Sequence, residues 1–169
     1  MNLLGRLLLV VLRALYYRQG GFAPLDEARL RFHVMPHDLD FNLHVNNARY
    51  LALMDLGRVD LLNHLGLMRL AFRGRWFPVL GQVSIRYHRP LFLFQGFDLV
   101  TRIVGWDAKW FYLEQRFERE GKPIATAYAR ALVRGPEGSI PSDQIVAALG
   151  FSIGSPDLPV EVRRMGSEE

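Results

Sequence analysis

The 169-residue sequence contains no cysteine. That removes a thiol nucleophile, a thiolate zinc site and any disulfide framework. It also fits a reducing compartment, so a cytoplasmic location is expected. Long apolar runs are missing too. Leu7 to Leu12 is the longest near the start and falls far short of the roughly 20 residues a spanning helix needs. No Ala-x-Ala cleavage pattern follows it. One Gly-x-Ser-x-Gly string occurs, at Gly150 to Gly154, but it follows the expected last helix instead of joining a strand to a helix, which argues against a serine hydrolase. Neither a phosphate-binding Walker loop nor a dinucleotide fingerprint occurs. Charge is only mildly one-sided, with 21 Lys and Arg against 17 Asp and Glu. A net +4 suits phosphate-bearing partners as well as it suits a plain solvated surface. Basic and aromatic residues interleave in 69–76 and 84–94, but no nucleic-acid reading element accompanies them.

What is present divides into three parts. Residues 1–21 form an apolar N-terminal helix that carries Arg6 and Arg13 on one face. It reads as an interfacial helix whose residues 3–17 lie on a membrane surface, or as a helix covering the core. Residues 22–150 form the main domain. Alternation over 28–35 predicts a strand, and apolar spacing over 46–66 predicts a long helix. Asn46 or Asn47 can cap that helix and Gly66 can end it. Strands follow at 78–88, 97–106, 110–119 and 124–134, joined by short turns that imply an antiparallel meander. A last helix is expected over 140–149, and residues 151–169 read as a loose tail. The fold class is α+β, one long helix against an antiparallel sheet.

The loop before the long helix holds His37, Asp38, Asp40 and His44. A helix start offers unsatisfied N–H groups and a positive dipole end. Such a place can polarise a carbonyl while a nearby carboxylate attacks it or activates water. The bland readings are that Asp38 accepts turn hydrogen bonds, His44 steadies the loop, and Asn46 and Asn47 are ordinary caps. Asp55 can pair with Arg58 on the helix surface. No helix or hairpin fixes the His and Asp residues as a ligand set, so no metal is expected.

The segment Asp38-x-Asp40-x-x-x-His44-Val45-Asn46-Asn47-x-x-Tyr50 resembles the signature of hotdog-fold thioesterases of the 4-hydroxybenzoyl-CoA thioesterase-like kind. Asp55 and Arg58 fall where that signature continues along the helix. The resemblance spans about residues 29–134. The apolar N-terminus and the stretch Gly105-Trp106-Asp107 to Phe111-Tyr112-Leu113-Glu114 look most like the thioesterase superfamily member 6 group. The resemblance implies a hotdog fold, an acyl-CoA substrate, homodimers or higher oligomers, and no separate cofactor. It places the catalytic carboxylate at Asp40, the oxyanion-binding N–H groups at Asn46 and Asn47, and a second acidic residue at Asp55. His44 is a further candidate as a base. In that reading Arg86, His88, Arg89, Arg73 and Arg75 are candidates to meet the CoA phosphates.

One departure stands out. The family's glycine before the motif histidine is Leu43 here, which is expected to narrow or reshape the thioester channel. It also keeps a second reading open, a hotdog protein that binds acyl chains or scaffolds at a membrane without turnover. A hotdog dehydratase is a third reading, and the surroundings of His44 do not match its motifs.

Overall fold

The computed structural model describes residues 3–16, 21–74 and 76–166. Helix α1 (Leu3–Tyr16) is followed by strand β1 (Ala28–His33) and a single 3-10 turn at Pro36–Asp38. The long helix α2 (Asn47–His64) and the short α3 (Leu67–Gly74) come next. Four long strands follow: β2 (Phe77–Tyr87), β3 (Gly96–Trp106), β4 (Phe111–Arg119) and β5 (Lys122–Gly135). Strand β6 (Gly138–Ile140) and helices α4 (Ser142–Ala148) and α5 (Val160–Gly166) complete the chain. All pairings are antiparallel and the sheet order is β1-β3-β4-β5-β2, with β6 on β5. This is the hotdog arrangement, a curled sheet around one long helix.

The ends of α2 follow from local chemistry. Asn46 sits in an extended conformation and its Oδ1 accepts the Ala48 N–H at 2.8 Å, the expected N-cap. Gly66 takes φ +75° just past the helix and donates to the Asn63 carbonyl. Near the middle of α2, Gly57 lets helix and sheet touch. A Cβ there would stand 2.5 Å from Thr101 Oγ1 and 2.9 Å from Leu99 Cδ2. Beside it the buried Gln115 donates to the Met54 carbonyl and to Thr101 Oγ1, and accepts from Arg58.

Strand β5 turns a row of alanines towards α2. Ala125, Ala127 and Ala129 are fully buried, and Ala131 is partly so. Small side chains at every second position let the helix lie close. Strand β2 is an edge of the sheet and, among the described residues, pairs only with β5. It is eleven residues long and exposes Phe77, Val79, Leu80 and Tyr87. At its bulge, a Cβ on Gly81 would stand 2.5 Å from Trp110, whose ring also carries Arg130 and Lys109.

Two expectations are corrected. The tail is not loose throughout. Ser155 Oγ accepts the Trp106 N–H at 2.8 Å, Leu158 packs against Gly105, and α5 buries Val162 and Met165. The bulge at Gly105, with no side chain and φ +155°, leaves the room and the donor that hold this segment. Nor does Arg6 face outward beside Arg13. Helix α1 lays Leu3, Leu7 and Val10 on the core and buries Arg6, while Leu4, Leu8, Leu9, Val11 and Leu12 remain exposed. Tyr17 of the expected helix lies outside the described residues.

Candidate active site

Asp40 stands in a tight turn that leads into α2. Its N–H donates to the His44 carbonyl and its carbonyl accepts the Leu43 N–H, both at 3.0 Å. One carboxylate oxygen accepts the Asn42 N–H at 2.9 Å, and the other lies 3.7 Å from His44 Nδ1. Closing this turn requires a left-handed residue at position 43, and Leu43 supplies it with φ +60°. Leu43 therefore takes the left-handed backbone that glycine adopts most readily. Its side chain is 70% exposed, as is that of the neighbouring Phe41 at 92%, so Leu43 does not fill the loop's interior.

Asp38 has a structural place. It is buried and holds Arg6 through both oxygens, at 3.0 and 2.6 Å. It also accepts the Met35 N–H. Its carbonyl takes the Asn46 N–H at 2.9 Å. That bond corrects one expectation, because the Asn46 N–H is already used and is not open to an oxyanion. The Ala48 N–H goes to Asn46 Oδ1 and the Arg49 N–H to the Asn46 carbonyl. Of this first turn, the Asn47 N–H is the one left without an acceptor among the described residues. A carboxylate beside a helix start with one open donor can hold a carbonyl and direct a nucleophile at it.

Tyr50 and Tyr87 back the helix start. Their rings meet edge-on at 5.2 Å, and Tyr87 Oη donates to the Asn47 carbonyl at 3.4 Å. Burial, with Tyr87 second, pushes the Tyr50 phenol up to about 12, so it stays a neutral hydroxyl.

Asp55 is not beside Asp40 in the chain. It pairs with Arg58 on the exposed flank of α2, eight residues beyond Asn47 and so about 12 Å along the helix. The pair stands at the rim of a cavity of about 380 Å³ between α2 and the sheet. Sequence reasoning missed this cavity, although the alternate alanines of β5 were a visible sign of room on that face. Arg86 and His88 lie on the opposite, outer face of β2, with His88 Nε2 3.2 Å from Thr126 Oγ1. Arg89 is exposed just beyond the strand, while Arg73 is exposed on α3 at the strand's other end. Arg75 lies outside the described residues. Among the described residues, Arg86, His88, Arg89 and Arg73 do not form one cluster within the chain.

The sequence profile of the thioesterase-like superfamily matches residues 34–143, from before Asp38 to the start of α4. The chain belongs to the thioesterase-like superfamily. Among superfamily relatives, Protein THEM6 of Danio rerio is 47% identical over 93 residues, 55% of this chain and 46% of its own length. Protein THEM6 of Xenopus laevis is 33% identical over 132 residues, 76% of this chain and 62% of its own. The chain spans about half the length of the curated relatives it matches. Of solved superfamily structures, the YbaW probable thioesterase from Escherichia coli superposes with TM-score 0.66 at 22% identity. That likeness covers 72% of this chain and 94% of the other, and it concerns the fold. Helices α1 and α5 lie outside the stretch the superfamily profile matches.

Proposed function

We propose that the chain is an acyl-CoA thioesterase that hydrolyses a thioester to the free acid and CoA. The observation that carries this is that the turn bearing Asp40 leads directly into the start of α2, where the Asn47 N–H has no acceptor among the described residues. The thioester carbonyl oxygen would sit on the Asn47 N–H and gain negative charge there. Asp40 acts as nucleophile or as the base that takes a proton from water. Collapse of the tetrahedral intermediate breaks the carbon–sulfur bond and CoA leaves as its thiolate; with Asp40 as base the free acid forms directly, and with Asp40 as nucleophile water then hydrolyses the acyl anhydride on Asp40. Superfamily membership and relatives named thioesterases, such as thioesterase lcsJ of Purpureocillium lilacinum, support this reading. His44, 3.7 Å from Asp40, would orient the carboxylate. Arg86, His88 and Arg89 flank the end of β2 that touches the helix start, so they suit the CoA phosphates; Arg73 would join only from a second copy. The test is release of free thiol from a panel of acyl-CoAs. Asp40→Asn should lose most of the wild-type rate. Tight binding without turnover by the wild type would instead favour the non-catalytic alternative.

The free edge of β2 supports a homodimer. An eleven-residue edge with exposed apolar side chains invites a second strand. Light scattering should give twice the chain mass, and a monomer would remove this reading. The exposed face of α1 supports peripheral contact with a membrane; no described helix is long and apolar enough to cross one. Truncating α1 would confound the test, because it also removes Arg6 from Asp38. Leu4→Asn with Leu8→Asn leaves the buried face intact and should abolish sedimentation with phosphatidylserine vesicles.

A further inference from the structure

We infer that two loop tips beside Asp40, Phe41 with Leu43 and Phe92 to Phe94, form a docking surface for an anionic lipid bilayer. The bound protein then turns the Asp40 loop towards the lipid. This builds on the peripheral contact read from α1 above, and it can fail without it.

The tips carry apolar side chains that contribute little to the fold. Phe41 is 92% exposed, Leu43 70% and Phe94 68%. Leu43 and Phe94 also take φ of +60° and +62°, a left-handed backbone that strains any side chain. Glu120, the other described residue besides glycine in that region, is a polar turn residue beside Gly121. Glycine or asparagine would close the turns at 43 and 94 with less strain. The second turn is nevertheless firmly held. The Phe94 N–H donates to the Val34 carbonyl, and Gln95 Oε1 accepts the Phe92 N–H, both at 3.0 Å. Strained, exposed, apolar residues at two neighbouring turns are explained by a partner that takes up their side chains.

The two tips belong to one surface. A bridge pairs His44 with Phe92, and the Val45 N–H donates to the Leu91 carbonyl at 2.9 Å. Helix α1 lies beside them, because Arg6 donates to the His33 carbonyl, one residue before the carbonyl that takes Phe94. Its Leu4, Leu8 and Leu12 are exposed. The border is basic. Arg89 precedes Phe92 by three residues, Arg49 lies on the first turn of α2 and Arg31 stands beside Gly96. Asp38 and Asp98, the carboxylates nearby, are already paired with arginines. Anionic headgroups match such a border. The tips protrude instead of forming a groove, and a fluid interface receives protruding aromatic side chains without a matching shape.

The test exploits the absence of cysteine. Phe41→Cys and Phe94→Cys each supply a single thiol for an environment-sensitive fluorophore. On phosphatidylcholine vesicles containing phosphatidylserine, both labels should gain about twofold in emission and be quenched by spin-labelled lipid. Ile153→Cys is the control. It lies two residues before Ser155, which is bonded to Trp106, at the end of β3 about 33 Å from Gly96. Its label should not respond. Labels at 41 and 94 that stay unquenched on protein sedimenting with the vesicles overturn the inference, and so does wild-type protein that fails to sediment. Unlabelled Phe41→Ser with Phe94→Asn gives a second readout, since asparagine accepts the left-handed backbone. It should bind the vesicles about tenfold more weakly at an unchanged mass by light scattering. A fall in mass would assign the tips to a contact between copies and overturn the bilayer as their occupant. If Leu4→Asn with Leu8→Asn keeps full sedimentation, the α1 reading fails, while quenching at 41 and 94 still decides the tips.

Discussion

The Arg6 guanidinium lies flat against the Asp38 carboxylate, with Nη1 to Oδ1 at 3.0 Å and Nη2 to Oδ2 at 2.6 Å. Both side chains are at most 3% exposed, and Arg6 also donates to the His33 carbonyl. Asp38 in turn anchors Met35 and, through its carbonyl, Asn46. The first helix is thereby tied to the loop that carries Asp40.

Breaking this pair should be costly. Arg6→Met takes the two-pronged partner from the buried Asp38 charge and leaves it the more distant Arg49 Nε at 3.7 Å, so the effect should be up to about 3 kcal/mol. Asp38→Asn should cost a similar amount. The double variant should cost clearly less than the sum, because the two effects share one interaction. Urea unfolding of all four proteins checks this; simple additivity would mean that the pair is not coupled.

Leu43 makes a contrasting prediction. A left-handed leucine costs about 1–2 kcal/mol, and glycine there would cost about 0.5–1 kcal/mol in chain flexibility. Leu43 is mostly exposed, so little burial is lost. Leu43→Gly should therefore be neutral or stabilising by up to about 1 kcal/mol, while Leu43→Ile should destabilise. Thermal unfolding distinguishes them. A fall of several degrees for Leu43→Gly would show that the leucine side chain itself holds the turn.

Gly57→Ala should destabilise the protein even though alanine is the better helix former. The added carbon would meet Thr101 Oγ1 at 2.5 Å. Overpacking of this kind costs about 1–3 kcal/mol, and helix propensity returns about 1 kcal/mol of it. Denaturant midpoints should fall, and a rise would show that helix and sheet can separate without penalty.

On the outer face, Glu114 gives a pH signature. Burial pushes its carboxyl up, but hydrogen bonds from Arg116 and Tyr128 and the charge of Arg102 outweigh that and hold it below the ordinary glutamate value. Glu118 is lowered in the same way by Arg116 and Arg29 acting against its burial. A lowered carboxyl contributes stability above its unfolded pKa and loses it as the pH falls through the folded one. Glu114→Gln should thus be less stable than wild type near neutrality and converge on it as the solution becomes strongly acidic. Unfolding measured at about pH 7 and about pH 3 tests this; a gap that stays constant would place the stabilisation elsewhere.

Much of this was legible in the sequence. The strands from residue 77 to 135 announced themselves by alternation and short turns, and α2 by Asn46 and Gly66. The hotdog resemblance rested on Asp38 to Tyr50, and the superfamily match covers that segment. Other features were not legible, for physical reasons. Arg6 in an apolar helix looked like a headgroup contact because its partner is 32 residues away. That the Asn46 N–H is occupied depends on how the loop folds back, which spacing does not encode. Helix α5 is seven residues long and has too few periods to stand out, yet Val162 and Met165 are buried. The cavity belongs to no single segment, since its walls come from three helices and four strands meeting in space.

The alanine row of β5 bears on how such a protein can diverge. Enlarging Ala125, Ala127 or Ala129 drives a side chain into a fully packed interior, so these positions are closed to variation. Ala131 alone of the four borders empty volume. A larger residue there has somewhere to go, and it sits on a different element from the loop bearing Asp40. A lineage could therefore alter what the cavity admits by single steps at one strand position, without exposing the loop that bears Asp40 to selection at the same time.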